Sequence, residues 1–543
     1  MSGRSLGAGC AGAQSGGGGP AAPVRLRSAR RAARTAAPRA ALRAALRSAL
    51  WAAPLAAPRA VLVPALLCLL SACAVGPDYH RPATEAGSRY TPEALPAQTA
   101  ETPGPGGTPQ HWVSGQPVPA HWWTVFGSPA LDALVEEALR ANPGIAGAQA
   151  ALHQASELAA AQRGLYFPTV QAGFAPTRQK NPVGTLAPTL NSGIPIYNLY
   201  TAQLSVGYTL DLFGGNRRQV EALVAQAEQQ RFALQATQIT LATNVVVAAV
   251  QEAATRAQIG ATERMVDIET EQLQILRKEV ELGAIADADA SAQEVLLAQT
   301  VALLAPLRKQ LALQRDALAV LLGRLPSQGA PVTPDLDALQ LPAALPLSLP
   351  STLVEQRPDV RIAEEQLHAA SAGVGVALAD MLPQISLSAS LGGTATRLGS
   401  MFAAGNQFWS AGASLSQTLF AGGALYHRER AAVAAFDQAG AQYRGAVLAA
   451  FQNVADSLQA LVFDADAYKA NHDAEAAAQR SLAYARHALD LGSVSYLALL
   501  NADQAYQQAL VNRVQAQANR YADTAALFQA LGGGWWNDAP AAR

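Results

Sequence analysis

Charge is scarce in this chain of 543 residues. Only 15% of them are Asp, Glu, Lys or Arg, against roughly 25% in an ordinary soluble domain. Aromatic residues make up 6%, and there are three cysteines. A basic excess is absent too: 39 Lys and Arg face 40 Asp and Glu, and with no basic stripe this argues against nucleic-acid binding. Half of the residues are hydrophobic and the mean hydropathy is +0.09, yet the longest nearly unbroken apolar run is Ala60 to Leu70. That falls far short of the ~20 residues of a spanning helix, which excludes a polytopic helical membrane protein. The eight His are scattered without metal-binding spacing, and no Gly-rich phosphate loop is followed by Lys-Ser or Lys-Thr. No enzyme is expected, and no cofactor or metal. Glu364-Glu365 and Asp464 to Asp466 read as solvated helix faces.

Acid is missing altogether from residues 1–77, which carry ten Arg. An Arg-rich stretch from Val24 to Arg59, the apolar Ala60 to Leu70 and the small residues Leu70-Ser71-Ala72-Cys73 follow in the order of a signal peptide. The last four resemble a bacterial lipobox, in which Cys73 is acylated and becomes the new N-terminus. Removal of 1–72 takes Cys10 and Cys68 with it, so no intrachain disulfide is expected. Ala74 rather than Asp at the following position implies passage to the outer membrane. The chain from Cys73 keeps 29 basic residues and all 40 acids, a net charge of −11.

The remainder is written twice. Pro143 and Pro358 open similar helical patterns 215 residues apart. Leu212-Phe213-Gly214-Gly215 is echoed by Leu419-Phe420-Ala421-Gly422-Gly423, and Glu281-Leu282-Gly283 by Asp490-Leu491-Gly492. The halves are 116–330 and 348–534, joined by a Pro-rich connector 331–347; a linker 73–115 precedes them and a tail 535–543 follows. Each half predicts a helix, a β-hairpin (167–213; 383–420), a proline-free long helix (217–282; 424–491) and a return helix (288–323; 495–530). The long helices would reach about 100 Å at 1.5 Å per residue. Pro306 should bend the first return helix.

Four segments alternate strictly, which places their two residue classes on opposite faces of a strand. Val170, Leu204, Val206, Tyr208, Leu210, Ile385, Leu387, Trp409 and Leu415 fall in the apolar class. The Ala-rich helices offer no large side chains to cover such a face, which favours lipid on one side and a watery lumen on the other. Four strands cannot close a barrel, and open edges are not tolerated in lipid, so the barrel must be shared between subunits. Tyr197, Tyr200, Phe408 and Trp409 suit an interfacial aromatic belt, and 177–196 and 393–406 would be the external loops.

At this point the sequence resembles the outer-membrane factors of tripartite efflux systems, TolC-like proteins of the NodT lipoprotein subgroup. The resemblance rests on Cys73-Ala-Val-Gly-Pro-Asp-Tyr-His-Arg-Pro82, on Trp122-Trp123 with Phe126, Pro129 and Leu131, on Arg357-Pro358-Asp359-Val360-Arg361 through Leu387, and on Leu531-Gly-Gly-Gly-Trp535. It implies an α+β membrane protein, internally duplicated, whose homotrimer forms a twelve-stranded β-barrel above a long periplasmic α-helical barrel. Such a protein would be lipid-anchored in the bacterial outer membrane and extend into the periplasm. It would catalyse nothing. Its partners would be a periplasmic adaptor, an inner-membrane resistance-nodulation-division type pump and outer-membrane lipid. The resemblance further implies adaptor-docking tips at Leu282, Gly283, Leu491, Gly492 and Ser493. It also implies a periplasmic gate near Leu497 and Asn501, with Asp287 and Asp289 supplying charge, since Ala498 and Asn501 stand where the family often has acids. Alternatives are an exit duct for type I protein secretion or metal efflux, or a structural coiled-coil lipoprotein.

Overall fold

A computed structural model describes residues 74–83, 89–180, 196–331, 333–348 and 350–537. Cys73, the expected leader 1–72 and residues 181–195 of the expected external loop lie outside the described residues. The chain divides into two units, Met1–Ser71 and Ala72–Arg543; the second holds every element below.

These are β1 (His111–Ser114), α1 (Pro129–Ala141), α2 (Pro143–Arg163), β2 (Thr169–Lys180), β3 (Ile196–Leu210), α3 (Gly215–Glu281) and α4 (Asp287–Leu321). After them come β4 (Ala344–Leu347), α5 (Pro350–Gln356), α6 (Pro358–Ala379), β5 (Gln384–Ala395), β6 (Gln407–Ser416), α7 (Ala424–Asp490) and α8 (Tyr496–Ala530). Local chemistry sets several starts. Ser128 accepts from the Leu131 N–H ahead of Pro129, and Asn142 accepts from the Gly144 N–H ahead of Pro143. In both, the side chain serves an orphan amide and proline sits where its missing N–H is harmless. Helix α4 runs unbroken through Pro306.

Helix α3 lies against α2, α4, α6 and α8, and α7 against α6 and α8. The largest core cluster gathers Val118, Trp122, Phe126 and Leu131 with the middle of α3 (Leu241 to Ala254) and the end of α8. Trp122 stacks on Phe528 with ring centroids 5.5 Å apart. Beside this core, β1 and β4 pair in parallel, His111 opposite Ala344. Thus part of the stretch expected to be a bare connector is a strand.

Two expectations need correction. The hairpin strands run further out than the loops 177–196 and 393–406 allow: β2 continues through Lys180 and β5 through Ala395, because the cross-strand ladder with β3 persists that far. Apolar stretches of membrane length are also present, although no unbroken apolar run reaches it. Helices α3, α4 and α7 each hold an 18-residue window apolar enough, by length and composition alone, to cross a bilayer. Helices α3 and α7 are 67 residues long, about 100 Å against a ~30 Å hydrocarbon core, and half of the α3 window is buried inside the chain.

Candidate functional site

The four long strands form one antiparallel sheet in the order β2-β3-β5-β6. Among the described residues the outer edges of β2 and β6 have no strand partner. Register decides the faces, since directly opposed residues point the same way. One row runs Ala172, Leu204, Leu391, Trp409; others run Val170, Val206, Ala389, Ala411, then Tyr208, Leu387, Ala413, then Leu210, Ile385, Leu415. The nine apolar positions singled out from the sequence therefore share one face. It is open: Trp409 is 76% exposed, Leu415 69% and Val170 61%. The opposite face carries hydroxyls that bond across strands, Thr201 to Thr394 at 3.0 Å, Thr209 to Ser386 at 3.3 Å and Ser390 to Ser410 at 2.8 Å. The four-member aromatic belt is corrected by the same register. Tyr200 and Trp409 lie on the apolar face, but Tyr197 and Phe408 lie on the polar one, where Tyr197 bonds to Gln179 and the Phe408 ring crowds Gly392.

At the junction of sheet and helices, residues 74–81 are strapped down. The Val75 N–H donates to Phe213 O at 3.0 Å. Arg218, almost fully buried, donates to Val75 O, to Asp78 at 2.7 Å and to Glu221 at 2.7 Å. Gly76 takes a φ of +103° and presses on α6 so closely that a Cβ would stand 2.5 Å from Gly375 Cα. Arg81 forks onto both oxygens of Glu364 at 2.7 and 2.8 Å. Glu364 is hence buried rather than solvated, and burial raises its carboxyl above the usual range despite Arg81. Tyr79 stacks on His368 at 4.4 Å. Hydrogen bonds from His368 to Glu365 (3.3 Å) and Glu221 (3.1 Å) outweigh its burial and raise its pKa. Asp464 also departs from the solvated reading: burial, then the adjoining Asp523 carboxyl, pushes it up to about 7.

The helix ends turn in the same way twice. The Gly283 N–H donates to Val280 O and the Ala284 N–H to Glu279 O, matched by Gly492 to Leu489 and Ser493 to Ala488. Both glycines have positive φ, +70° and +66°, the left-handed cap that closes a helix. Leu282 (83% exposed) and Leu491 are bare, as are Leu497 and Asn501. Asp287 is exposed and Asp289 half-buried in the first turn of α4.

Above these turns lies a polar network that the sequence reading missed. Glu269 of α3 is fully buried and accepts from Thr300 of α4 and from Gln507 of α8, each at 2.9 Å. Gln293 of α4 donates to Glu269 O and accepts from Tyr496 of α8. Asp503 of α8, also buried, lies 3.8 Å from Arg486. Its signal is a single acid four residues from both Met265 and Leu273 on the buried stripe of α3. Among the described residues no group of three His, Cys, Asp or Glu is placed to hold a metal.

A family model described as Outer membrane efflux protein matches residues 134–324 and 349–533, one match per half. The Toluene efflux pump outer membrane protein TtgF of Pseudomonas putida is 30% identical over 489 residues, covering 87% of this chain and 96% of that protein. The Pyoverdine export outer membrane protein OpmQ of Pseudomonas aeruginosa is 30% identical over 431 residues, 77% and 88% of the two chains. Among solved structures, the outer-membrane channel OprN superposes with a TM-score of 0.75 at 29% identity, covering 85% of this chain and all of that one. With its duplicated halves, amphipathic four-stranded sheet and paired long helices, the chain belongs to the outer membrane efflux protein family and is an outer-membrane efflux channel component.

Proposed function

We propose that three copies of this chain join their sheets edge to edge into a twelve-stranded barrel. In that arrangement the α3–α4 and α7–α8 hairpins wall a periplasmic exit duct for small organic molecules. The observation that carries this reading is the sheet itself: one exposed apolar face, one hydroxyl-lined face and two open edges. An apolar face suits lipid, but unpaired edges do not, and β2 of one copy beside β6 of the next removes them. The relatives' names, toluene and pyoverdine among them, support small organic cargo.

Within this reading Val170, Leu204, Val206, Tyr208, Leu210, Ile385, Leu387, Trp409 and Leu415 face lipid, and acylated Cys73 anchors the chain to the outer membrane. The bare tips Leu282, Gly283, Leu491, Gly492 and Ser493 meet a periplasmic adaptor, which links the duct to an inner-membrane pump of the resistance-nodulation-division type. Leu497 and Asn501 narrow the aperture while Asp287 and Asp289 lend it negative charge. The chain itself supplies a passage and catalyses nothing. Purified protein should run as a trimer by light scattering and pass discrete currents in planar bilayers; a monomer without conductance would overturn the proposal.

A further inference from the structure

The Glu269–Asp503 pair has no use in a passive wall. Its surroundings join both helical hairpins: α3 and α4 contribute Glu269, Gln293 and Thr300, α8 contributes Tyr496, Asp503 and Gln507, and α7 contributes Arg486. One oxygen of Glu269 takes both available donors, while the other meets no N–H or O–H donor. Gln507 Nε2 donates to Glu269 at 2.9 Å and to Asp503 at 3.3 Å, so the two buried carboxyls share one donor. Two carboxylates held on one donor in a buried site cannot both stay charged without cost. One proton kept between them removes that cost.

We propose that Glu269 and Asp503 are a proton-dependent latch between the two hairpins, so that the aperture below them is held shut when they share a proton and loosens when they lose it. This rests on the exit-duct reading above. The pair sits thirteen residues before Leu282, about 20 Å above the tip, close enough for a small splay there to open the end. Among the described residues Arg486 is the cation that faces the pair, 3.8 Å from Asp503. It favours charge on Asp503 and leaves the proton on Glu269. Asp289 and Tyr496 are the other titratable groups nearby, both felt through Tyr496. Burial pushes Glu269 up to about 7 from an ordinary 4.5. A raised carboxyl pKa means that the latched state binds the proton more tightly than the splayed one. The hold is therefore complete below the ordinary value and is lost as pH climbs through about 7.

The test uses the full chain in planar bilayers and in hydrogen exchange, at pH 5.5 and pH 8. Open probability of the unaltered protein should rise by about tenfold or more between them. Glu269→Gln keeps an N–H in place of the acid O–H and should hold the low value at both, and Asp503→Asn should flatten the profile as well. Identical pH profiles in the unaltered protein and both variants would overturn the latch. If no current passes at any pH, the exit-duct reading falls and exchange still decides. Corrected for intrinsic rate, amides in 282–297 and 488–504 of the unaltered protein should be better protected at pH 5.5. Equal protection at both pH values would dispose of the latch.

Discussion

Arg520 shows how much a single side chain can organise. It is fully buried on α8 and donates to the carbonyls of Gly106 and Thr108, while its guanidinium lies 5.8 Å from the Tyr468 ring centre. Burial lowers its pKa, yet an arginine stays charged throughout the physiological range. Arg520→Ala should leave those carbonyls unpaired and cost about 2–4 kcal/mol, read as a lower melting temperature and faster proteolysis within 89–110. On the sheet, Leu204→Arg should destabilise the lipid-inserted form by about 2–4 kcal/mol if that face meets hydrocarbon; unchanged heat resistance in lipid would contradict the assignment. Asp289→Asn should weaken cation selectivity of the reconstituted channel, and unaltered selectivity would remove Asp289 from the aperture.

At the scale of elements, the strap over residues 74–81 depends on close backbone approach and on a charge relay. Gly76→Ala would drive a methyl into Gly375 while asking an L-residue to hold φ +103°. The strap should detach, and Tyr79 should become a fast chymotryptic site without loss of helix by circular dichroism. His368 adds a pH dependence. Its pKa is raised by Glu365 and Glu221, so its contribution is fully present below the ordinary histidine value of 6.5 and is lost as pH rises through the raised one. Exchange of the strap amides should speed up over that interval, and His368→Gln should abolish the step.

This is also the scale at which the sequence was most and least informative. The long helices and alternating strands were legible because each repeats one period over many residues, and the duplication was legible because its landmarks keep a nearly constant offset. Strand β1 was not: four residues carry no usable period, and its partner Ala344 lies 233 positions away. Glu364 reads as solvated, and Glu269 draws no notice, because an acid on an Ala-rich helix is usually solvated. What buries them is Arg81 in one case and Thr300 with Gln507 in the other. Such partners come from distant segments that no local pattern ties to them. Tyr197 and Phe408 were misassigned because a position near a strand's start says nothing about its face until the register is known.

For the whole molecule, charge is unevenly placed: 1–72 is basic, whereas the chain from Cys73 is net −11. A Cys73→Ser protein should take up no labelled palmitate, and label in that variant would remove Cys73 as the acylation site. The unpaired margins of β2 and β6 bear on inheritance as well as on architecture. In the proposed barrel, a wall completed only by its neighbours gives no subunit a private pore. One copy with a spoiled margin therefore disables every ring that it joins, so lesions in these two strands should be dominant when expressed beside the unaltered gene, whereas lesions that unfold the chain before assembly should be recessive.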